Sequence, residues 1–172
     1  FISPRHAVEN AKKMIEDGAD IIDIGGESSR PGADPVSVDE ELERVIPVVR
    51  GVTDETEAII SVDTCKAAVA DQALQAGADM INDVTALRGD PEIVQLVAQA
   101  DASIILMHMQ GDPRTMQQKP TYTNLIDEIS LFLQESIEFA ESNGVSPRRI
   151  IIDPGIGFGK AIQDNLEILR QL

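Results

Sequence analysis

Cysteine and histidine are scarce in this chain of 172 residues. The single cysteine, Cys65, cannot form an internal disulfide bond, which fits a protein of the reducing cytoplasm. The two histidines, His6 and His108, form no His-x-x-x-His pair, and one cysteine leaves no Cys-x-x-Cys pair. The spacing therefore argues against a catalytic metal cluster. A Gly-x-Ser-x-Gly turn is also absent, so nothing in the sequence supports a serine nucleophile.

The sequence also has few positively charged residues and lacks long apolar runs. Lys and Arg number 14 against 30 Asp and Glu, a formal net charge of −16, so nucleic acid is not an expected partner. No apolar run approaches the roughly 20 residues of a membrane helix, and nothing resembles a signal peptide. Hydrophobic residues still make up 42%, enough for a globular core in a single domain over residues 1–172. Because the first residue is Phe1, we expect the natural start to lie upstream.

Short apolar runs alternate with amphipathic helical patterns along the whole chain. Strands are predicted at residues 21–24, 58–62, 80–82, 103–107 and 150–153. Helices are predicted at 4–17, from Ser37 onwards with a kink or early end at Pro47, and at 66–75, 91–99, 124–143 and 162–172. This alternation predicts a parallel sheet with right-handed crossovers. Two similar segments, 18–23 and 77–82, fit the repeated unit of a β/α barrel, although an open doubly wound sheet would show them too.

Polar residues lie at the predicted strand ends: Asp23, Asp63, Asn82 with Asp83, His108 and Asp153. In a parallel barrel all C-terminal strand ends open on one face, so these side chains should converge there. A single acid at such a place commonly caps the next helix. Four strands of five that end in Asp or Asn favour a ligand site, because like charges buried together cost stability. His108 is expected to make a structural hydrogen bond rather than to act as a base.

A glycine-rich loop at residues 155–160 follows the last predicted strand. It does not fit a Walker loop, which needs Gly in place of Pro154 and Ser or Thr in place of Ala161. It does not fit a dinucleotide loop either, which needs Gly in place of Lys160. We interpret it as a flexible loop that lets Phe158 approach a flat ligand, or alternatively as a turn with a solvated Lys160.

A second glycine-rich loop, residues 25–32, follows the first predicted strand. Its Arg30 could pair with an anion, and Pro31 would stiffen the turn. The composition fits either a ligand-binding loop or an ordinary surface loop.

Five sequence words at these strand ends resemble those of the dihydropteroate synthases, a pterin-binding enzyme family of folate biosynthesis. In this chain the words span residues 23–32 (DIGGESSRPG), 60–64 (ISVDT), 81–84 (INDV), 107–111 (MHMQG) and 153–160 (DPGIGFGK). They occur in family order along the whole chain. The resemblance implies a parallel (β/α)8 TIM barrel, of which residues 1–172 would hold about strands 2 to 6, without the first strand and the last two.

The resemblance also implies an activity and its residues. The family condenses 4-aminobenzoate with (7,8-dihydropterin-6-yl)methyl diphosphate, giving 7,8-dihydropteroate and diphosphate. The catalytic residues would be Asp63, Asn82 and Asp153. Ser29, Asp63, Asn82, Val84, Met107 and Asp153 would bind the pterin diphosphate, and Ser29, Arg30, Pro31 and Phe158 the aminobenzoate. The chemistry agrees, since a carboxylate such as Asp153 can accept two adjacent pterin N–H groups and Asp63 can stabilise positive charge as diphosphate leaves.

Departures from the family pattern concern one residue and two segments. Ser29 stands where the family usually has Thr, which keeps the hydroxyl and loses a methyl group. The resemblance implies a Mg²⁺ cofactor, but its Asn ligand would precede Phe1, and later diphosphate-binding segments would follow Leu172. Residues 1–172 alone are therefore expected to be poorly active, and the full-length protein to be a cytoplasmic homodimer. One alternative is a pterin-binding domain of a corrinoid-dependent methyltransferase, a class that lacks the Ser-Arg-Pro-Gly and Phe-Gly-Lys words. The other is a truncated, non-catalytic pterin-binding protein.

Overall fold

The computed structural model describes residues 3–30, 32–111, 116 and 120–171. Five parallel strands form one sheet in this part of the chain, in the order β1-β2-β3-β4-β5. Their bounds are β1 Ile21–Gly25, β2 Ile59–Asp63, β3 Met80–Asp83, β4 Ser103–Met107 and β5 Ile150–Asp153. A doubly wound sheet reverses its strand order at a switch point. The order here never reverses, so the sheet follows the barrel class that the sequence predicted.

Helices lie between the strands: α1 Pro4–Glu16, α2 Val38–Glu55, α3 Ala67–Gln75, α4 Ile93–Ala100, α5 Leu125–Ser142 and α6 Ile162–Gln171. A short 3₁₀ turn, Pro147–Arg149, precedes β5. The Ser37 side chain accepts a hydrogen bond from the Glu40 backbone N–H at 3.2 Å, which caps α2 as predicted. α2 continues through Pro47 to Glu55, so the proline does not end it early. Gly144 follows α5 with φ of 96°, the left-handed conformation of a helix C-cap.

The core lies between one face of the sheet and the helices. Alternate strand residues, Ile22 and Ile24 in β1, Ile60 and Val62 in β2, Ile81 in β3, and Ile104 and Leu106 in β4, pack there with valines of α2 and α4. The intervening strand residues, which include Asp63 and Asn82, point to the other face. Within the part of the chain that the structure describes, no helix is both long and apolar enough to cross a membrane.

Candidate functional site

Asp63 and Asn82 lie side by side at the C-terminal edge of the sheet. Asp63 closes β2, and its Cα pairs in register with Gly25 of β1 and with Asn82 of β3. The preceding residues, Val62 and Ile81, belong to the helix-facing core, so the Asp63 and Asn82 side chains point to the opposite face. Among the residues that the structure describes, neither side chain forms a hydrogen bond. The pair is therefore free to bind a ligand.

Burial, the largest cause, and the neighbouring carboxylates of Asp23, Glu41, Asp83 and Glu27 together raise the pKa of Asp63 to about 7. Desolvation disfavours the charged form of a carboxyl group, and nearby negative charge acts in the same direction. Near neutral pH the group therefore exchanges readily between its neutral and ionised forms. A ligand that gains positive charge beside it would favour the ionised form.

Asp83, the next residue along β3, has a structural role. Its carboxylate accepts hydrogen bonds from the backbone N–H and hydroxyl of Thr85 at 2.8 and 2.7 Å, and from the backbone N–H of Leu87 at 2.7 Å. The loop it holds contains Ala86 and Leu87 with φ of 50° and 66°, a conformation that costs energy for residues other than glycine. Asp83 is therefore an acid at a strand end that fixes the loop after its own strand.

Asp153 closes β5, and its Cα pairs in register with Met107 of β4. One carboxylate oxygen, Oδ1, accepts a hydrogen bond from the Gly155 backbone N–H at 2.7 Å. Asp153 thus caps the glycine-rich loop. A carboxylate has two oxygens and about four acceptor positions, so this bond leaves acceptor capacity for a ligand.

His108 and Lys160 are buried together beside this loop, with 5% and 3% of their surfaces exposed. The Lys160 ammonium lies 2.9 Å from His108 Nδ1, and it donates to the carbonyl oxygens of His108 at 3.2 Å and Phe158 at 2.9 Å. Burial and the Lys160 charge lower the pKa of His108 to about 4, so its ring is neutral and Nδ1 is the acceptor. Burial also lowers the pKa of Lys160, to about 8. These contacts support the structural role predicted for His108, and Lys160 is not a solvated turn residue.

The glycines of the loop serve close packing against the segment that follows β4. A Cβ atom on Gly155 would lie 2.0 Å from the His108 carbonyl oxygen, and one on Gly159 would lie 2.5 Å from the Gln110 carbonyl oxygen. Both glycines have positive φ, 69° and 65°. The Tyr122 hydroxyl also donates to the Gly159 carbonyl at 2.6 Å. The loop is thus held against its neighbours rather than free in solvent.

An apolar cluster lies among the loops at this edge of the sheet. It consists of the buried side chains of Val84, Met107, Met109 and Met116, with Phe158 packed against them. The family resemblance implies that Val84 and Met107 face a pterin ring and that Phe158 faces an aminobenzoate ring. The structure brings all three into one cluster, which could form the wall of a site for flat, aromatic ligands.

The loop between β1 and α2 carries the other predicted residues. Ser29 is half-buried and Arg30 is exposed, and the Arg30 backbone N–H donates to Ser28 Oγ at 3.4 Å. Among the described residues the structure shows no hydrogen bond or ion pair of the Arg30 guanidinium, so it does not bring Arg30 into contact with Asp63 or Asn82. Pro31 lies outside the described residues.

Sequence reasoning missed an ionic network beneath this loop. The Lys66 ammonium pairs with the carboxylates of Glu27 and Glu41. Glu27 belongs to one of the recognised sequence words and Lys66 follows another, which was a signal for their importance. Nothing in the sequence indicated Glu41, which lies on α2 and is separated from Lys66 by 25 positions.

The family model described as pterin binding enzyme matches residues 1–172. The dihydropteroate synthase of Synechocystis sp. is 51% identical over all 172 residues, which cover 60% of that protein. The Escherichia coli K12 dihydropteroate synthase is 44% identical over 166 residues, 96% of this chain and 58% of that protein.

Solved structures agree with these relatives. The Yersinia pestis dihydropteroate synthase in complex with a sulfonamide drug superimposes with a TM-score of 0.95 at 41% identity, covering 98% of this chain and 61% of that one. The Xanthomonas albilineans enzyme with 4-aminobenzoic acid gives 0.90 at 46% identity, covering 97% and 59%. The chain thus spans about 60% of the length of these relatives, and the β/α architecture of the TIM-barrel class is confirmed. On the match over its whole length, the chain belongs to the pterin binding enzyme family.

Proposed function

We propose that the full-length protein is a dihydropteroate synthase, a transferase that joins 4-aminobenzoate to (7,8-dihydropterin-6-yl)methyl diphosphate. The observation that carries this proposal is the pair of Asp63 and Asn82, adjacent in register and without partners among the described residues. Val84, two residues beyond Asn82, lies in the apolar cluster with Met107 and Phe158. Polar acceptors beside an apolar wall are what a pterin requires, because its ring is flat and its edge is rich in donors and acceptors.

In the proposed reaction the aminobenzoate nitrogen attacks the methylene carbon of the pterin substrate. A C–N bond forms, the C–O bond to diphosphate breaks with its electron pair leaving on the diphosphate, and the new secondary amine releases a proton to solvent. The aminobenzoate amine is neutral at pH 7 and needs no strong base. Asp63 would stabilise the positive charge that develops on the pterin as diphosphate departs, and its raised pKa suits a group that ionises when such charge appears.

Substrate binding divides between two sides of the site. On the pterin side, Asp153 would accept two ring N–H groups with the acceptor positions that Gly155 leaves free, and Asn82 would both donate and accept. On the aminobenzoate side, Phe158 would pack against the ring. Arg30 would pair with the substrate carboxylate, and Ser29 and Pro31 would complete the contact.

The proposal includes Mg²⁺ only through the family resemblance. Within the described residues, no group of three or more His, Cys, Asp and Glu side chains could hold a metal ion. These residues do not supply a magnesium site by themselves, and no step above passes through the ion. The proposal further includes a homodimer of single-domain TIM-barrel subunits in the cytoplasm. Sedimentation of the full-length protein would test whether it is a dimer.

The deciding experiment is an assay of the full-length protein with both substrates and with each omitted. We expect diphosphate release that depends on 4-aminobenzoate and yields dihydropteroate by mass spectrometry. Release that does not depend on aminobenzoate would contradict the proposal. Tight pterin binding without any release would instead identify a non-catalytic pterin-binding protein, and methyl transfer from a methylpterin to a corrinoid would identify a methyltransferase.

A further inference from the structure

Lys66 lies at the centre of an ionic network that joins three elements of the fold. It precedes α3 directly, and its ammonium pairs with Glu41 of α2 and with Glu27 of the loop after β1. The Glu41 side chain is only 1% exposed and also accepts a hydrogen bond from the Thr64 hydroxyl at 2.7 Å. Burial by itself lowers the pKa of Lys66, but the hydrogen bonds to Glu27 and Glu41 outweigh it and leave that pKa raised. Lys66 is therefore held as a cation between two carboxylates.

The loop after β1 rests directly on this network. A Cβ atom on Gly26 would lie 2.8 Å from Glu41 Cγ, so only glycine lets the backbone approach the buried carboxylate this closely. Arg44 of α2 donates to the Gly26 carbonyl at 2.7 Å. Glu27, which binds Lys66, is the next residue, and Ser29 and Arg30 follow within three positions.

We propose that Lys66 is a positioning residue for the aminobenzoate side of the site, holding the loop that carries Ser29 and Arg30 against the end of β2, where Asp63 lies. This inference rests on the proposed function. Lys66 reaches the loop through Glu27, and the C-terminal end of β2 through Glu41 and Thr64. Within the described part of the chain its ammonium forms no hydrogen bond or ion pair with Asp63, Asn82 or Asp153, whose positions follow from the sheet. Loss of Lys66 should therefore release the loop and leave the pterin side in place.

The removal of Lys66 has a second consequence that decides which variants to use. Glu41 would remain buried without a cation, and a buried carboxylate without a partner costs stability. A Lys66→Met protein could therefore fold poorly. Glu27 is 29% exposed on its side chain, so Glu27→Gln removes the carboxylate charge and weakens the link to the loop at little cost in burial, while Glu41 keeps its partner.

The test uses the full-length protein with Lys66→Met, Lys66→Arg, Glu27→Gln and the double variant Glu27→Gln/Lys66→Met. For Lys66→Met and Glu27→Gln we expect the aminobenzoate KM to rise about tenfold, the effect of one lost charge-assisted hydrogen bond. The dissociation constant of the pterin substrate should stay within about twofold of wild type. A general loss of structure would instead weaken the binding of both substrates. Lys66→Arg should restore most of the aminobenzoate KM. The double variant should be no worse than Lys66→Met, because both changes break the same pair.

Lys12→Met is the matched control, since it removes an exposed ion pair with Glu55 on the outer surface. We expect it to change neither constant. Equal losses of affinity for both substrates, additive effects in the double variant, or an unchanged aminobenzoate KM in Glu27→Gln would each overturn the inference.

Hydrogen exchange separates this inference from the proposed function. Without substrates, backbone amides of residues 26–30 should exchange faster in Glu27→Gln than in wild type, with the strands unchanged. If the wild-type protein releases no diphosphate, the proposed function fails while faster exchange still supports the anchoring of the loop. If exchange at residues 26–30 is unchanged, Lys66 does not position the loop, whatever the activity.

Discussion

The two halves of the polar edge of the sheet differ in how fully their groups are satisfied. On β2 and β3, Asp63 and Asn82 have no hydrogen-bond partners among the described residues. Beyond β4 and β5, His108 and Lys160 satisfy each other and the loop carbonyls around them. Asp153 lies between these extremes, because one of its oxygens caps Gly155.

This difference separates side chains that can bind a ligand from side chains that hold the loops of the site in place. Asp63 and Asn82 are half-buried, so their polar groups, which no group in the described part of the chain satisfies, are accessible to a ligand that can bond them. Fully bonded groups such as Lys160 have nothing left to offer a ligand, and they fix the loops instead. Removal of a group that fixes a loop should therefore lower stability, whereas removal of a group that binds the ligand should lower affinity without lowering stability.

The largest expected effect is on stability, from Lys160→Met. The variant keeps the apolar stem but leaves His108 Nδ1 and the carbonyl oxygens of His108 and Phe158 without their donor. Each buried acceptor without a partner costs about 1–3 kcal/mol, offset in part because a buried charge is also removed. We expect the free energy of unfolding to fall by about 3 kcal/mol in urea titrations. The exposed Lys13→Met is the control, and a Lys160→Met protein as stable as wild type would contradict the role of Lys160 in building the loop.

Asp153→Asn should weaken pterin binding on the order of a hundredfold. The substitution places an NH₂ group opposite a ligand donor and removes a charge-assisted hydrogen bond, a loss of about 2.7 kcal/mol at tenfold per 1.4 kcal/mol. Stability should change little, because the Asn oxygen can still accept from the Gly155 N–H. Calorimetric titration with a pterin, beside thermal melts, measures both quantities.

Asp164→Asn is the matched control for Asp153→Asn. Asp164, in the first turn of α6, also accepts from a nearby backbone N–H, that of Ala161, at 2.7 Å, and it has no proposed ligand. Normal pterin affinity of Asp153→Asn together with a lowered melting temperature would mean that Asp153, like Asp164, is only a cap.

The sequence predicted the order of elements because that information is local. Ile21 to Ile24, interrupted only by Asp23, and Ile150 to Ile152 are short apolar runs, and the structure has a strand at each. Asp63 and Asn82 were identified because both lie at strand ends, which a parallel sheet brings to one edge. Strand order required only the rule that consecutive β/α units pack side by side.

Side-chain destinations were harder to predict because they depend on distant residues. Asn82 and Asp83 are neighbours, yet they point to opposite faces, and only the structure shows that Asp83 is bound to Thr85 and Leu87. A lysine after a glycine-rich loop is usually solvated, and the burial of Lys160 depends on His108, 52 positions earlier. The Glu41–Lys66 pair likewise joins α2 to the residue before α3, which no local pattern reveals.

Asp63→Asn should raise stability in a way that depends on pH. The folded-state pKa of Asp63 is about 7, above the ordinary value near 4 of the unfolded chain. The ionised form thus costs stability, which is fully present below pH 4 and is lost as pH rises toward 7. We expect Asp63→Asn to be about 2 kcal/mol more stable than wild type at pH 8 and equal to it at pH 4, by urea titration at both values. An equal gain at the two values would show that Asp63 is not destabilised by its charge.

His108→Asn should have the smallest effect. The Asn oxygen lies close to where Nδ1 was, so it can still accept from the Lys160 ammonium, and the frame of the glycine-rich loop survives. What is lost is the imidazole ring, which meets Phe132 edge to face with ring centroids 4.8 Å apart. Such a pair contributes about 0.5–1.5 kcal/mol beyond its buried area, so we expect the unfolding free energy to fall by about 1 kcal/mol.

The kcat of His108→Asn separates a structural histidine from a catalytic one. A neutral ring whose pKa is about 4 and whose Nδ1 faces an ammonium is poorly suited to accept a proton in the reaction. We therefore expect kcat of the full-length enzyme to stay within about tenfold of wild type, less than the 10²–10⁴-fold contribution of a general base. His108→Leu is the comparison variant, since it removes the Nδ1 acceptor and so removes one of the hydrogen bonds of the Lys160 ammonium. A His108→Asn enzyme that folded normally but lost several orders of magnitude in kcat would show that His108 takes part in the reaction and does more than hold the loop in place.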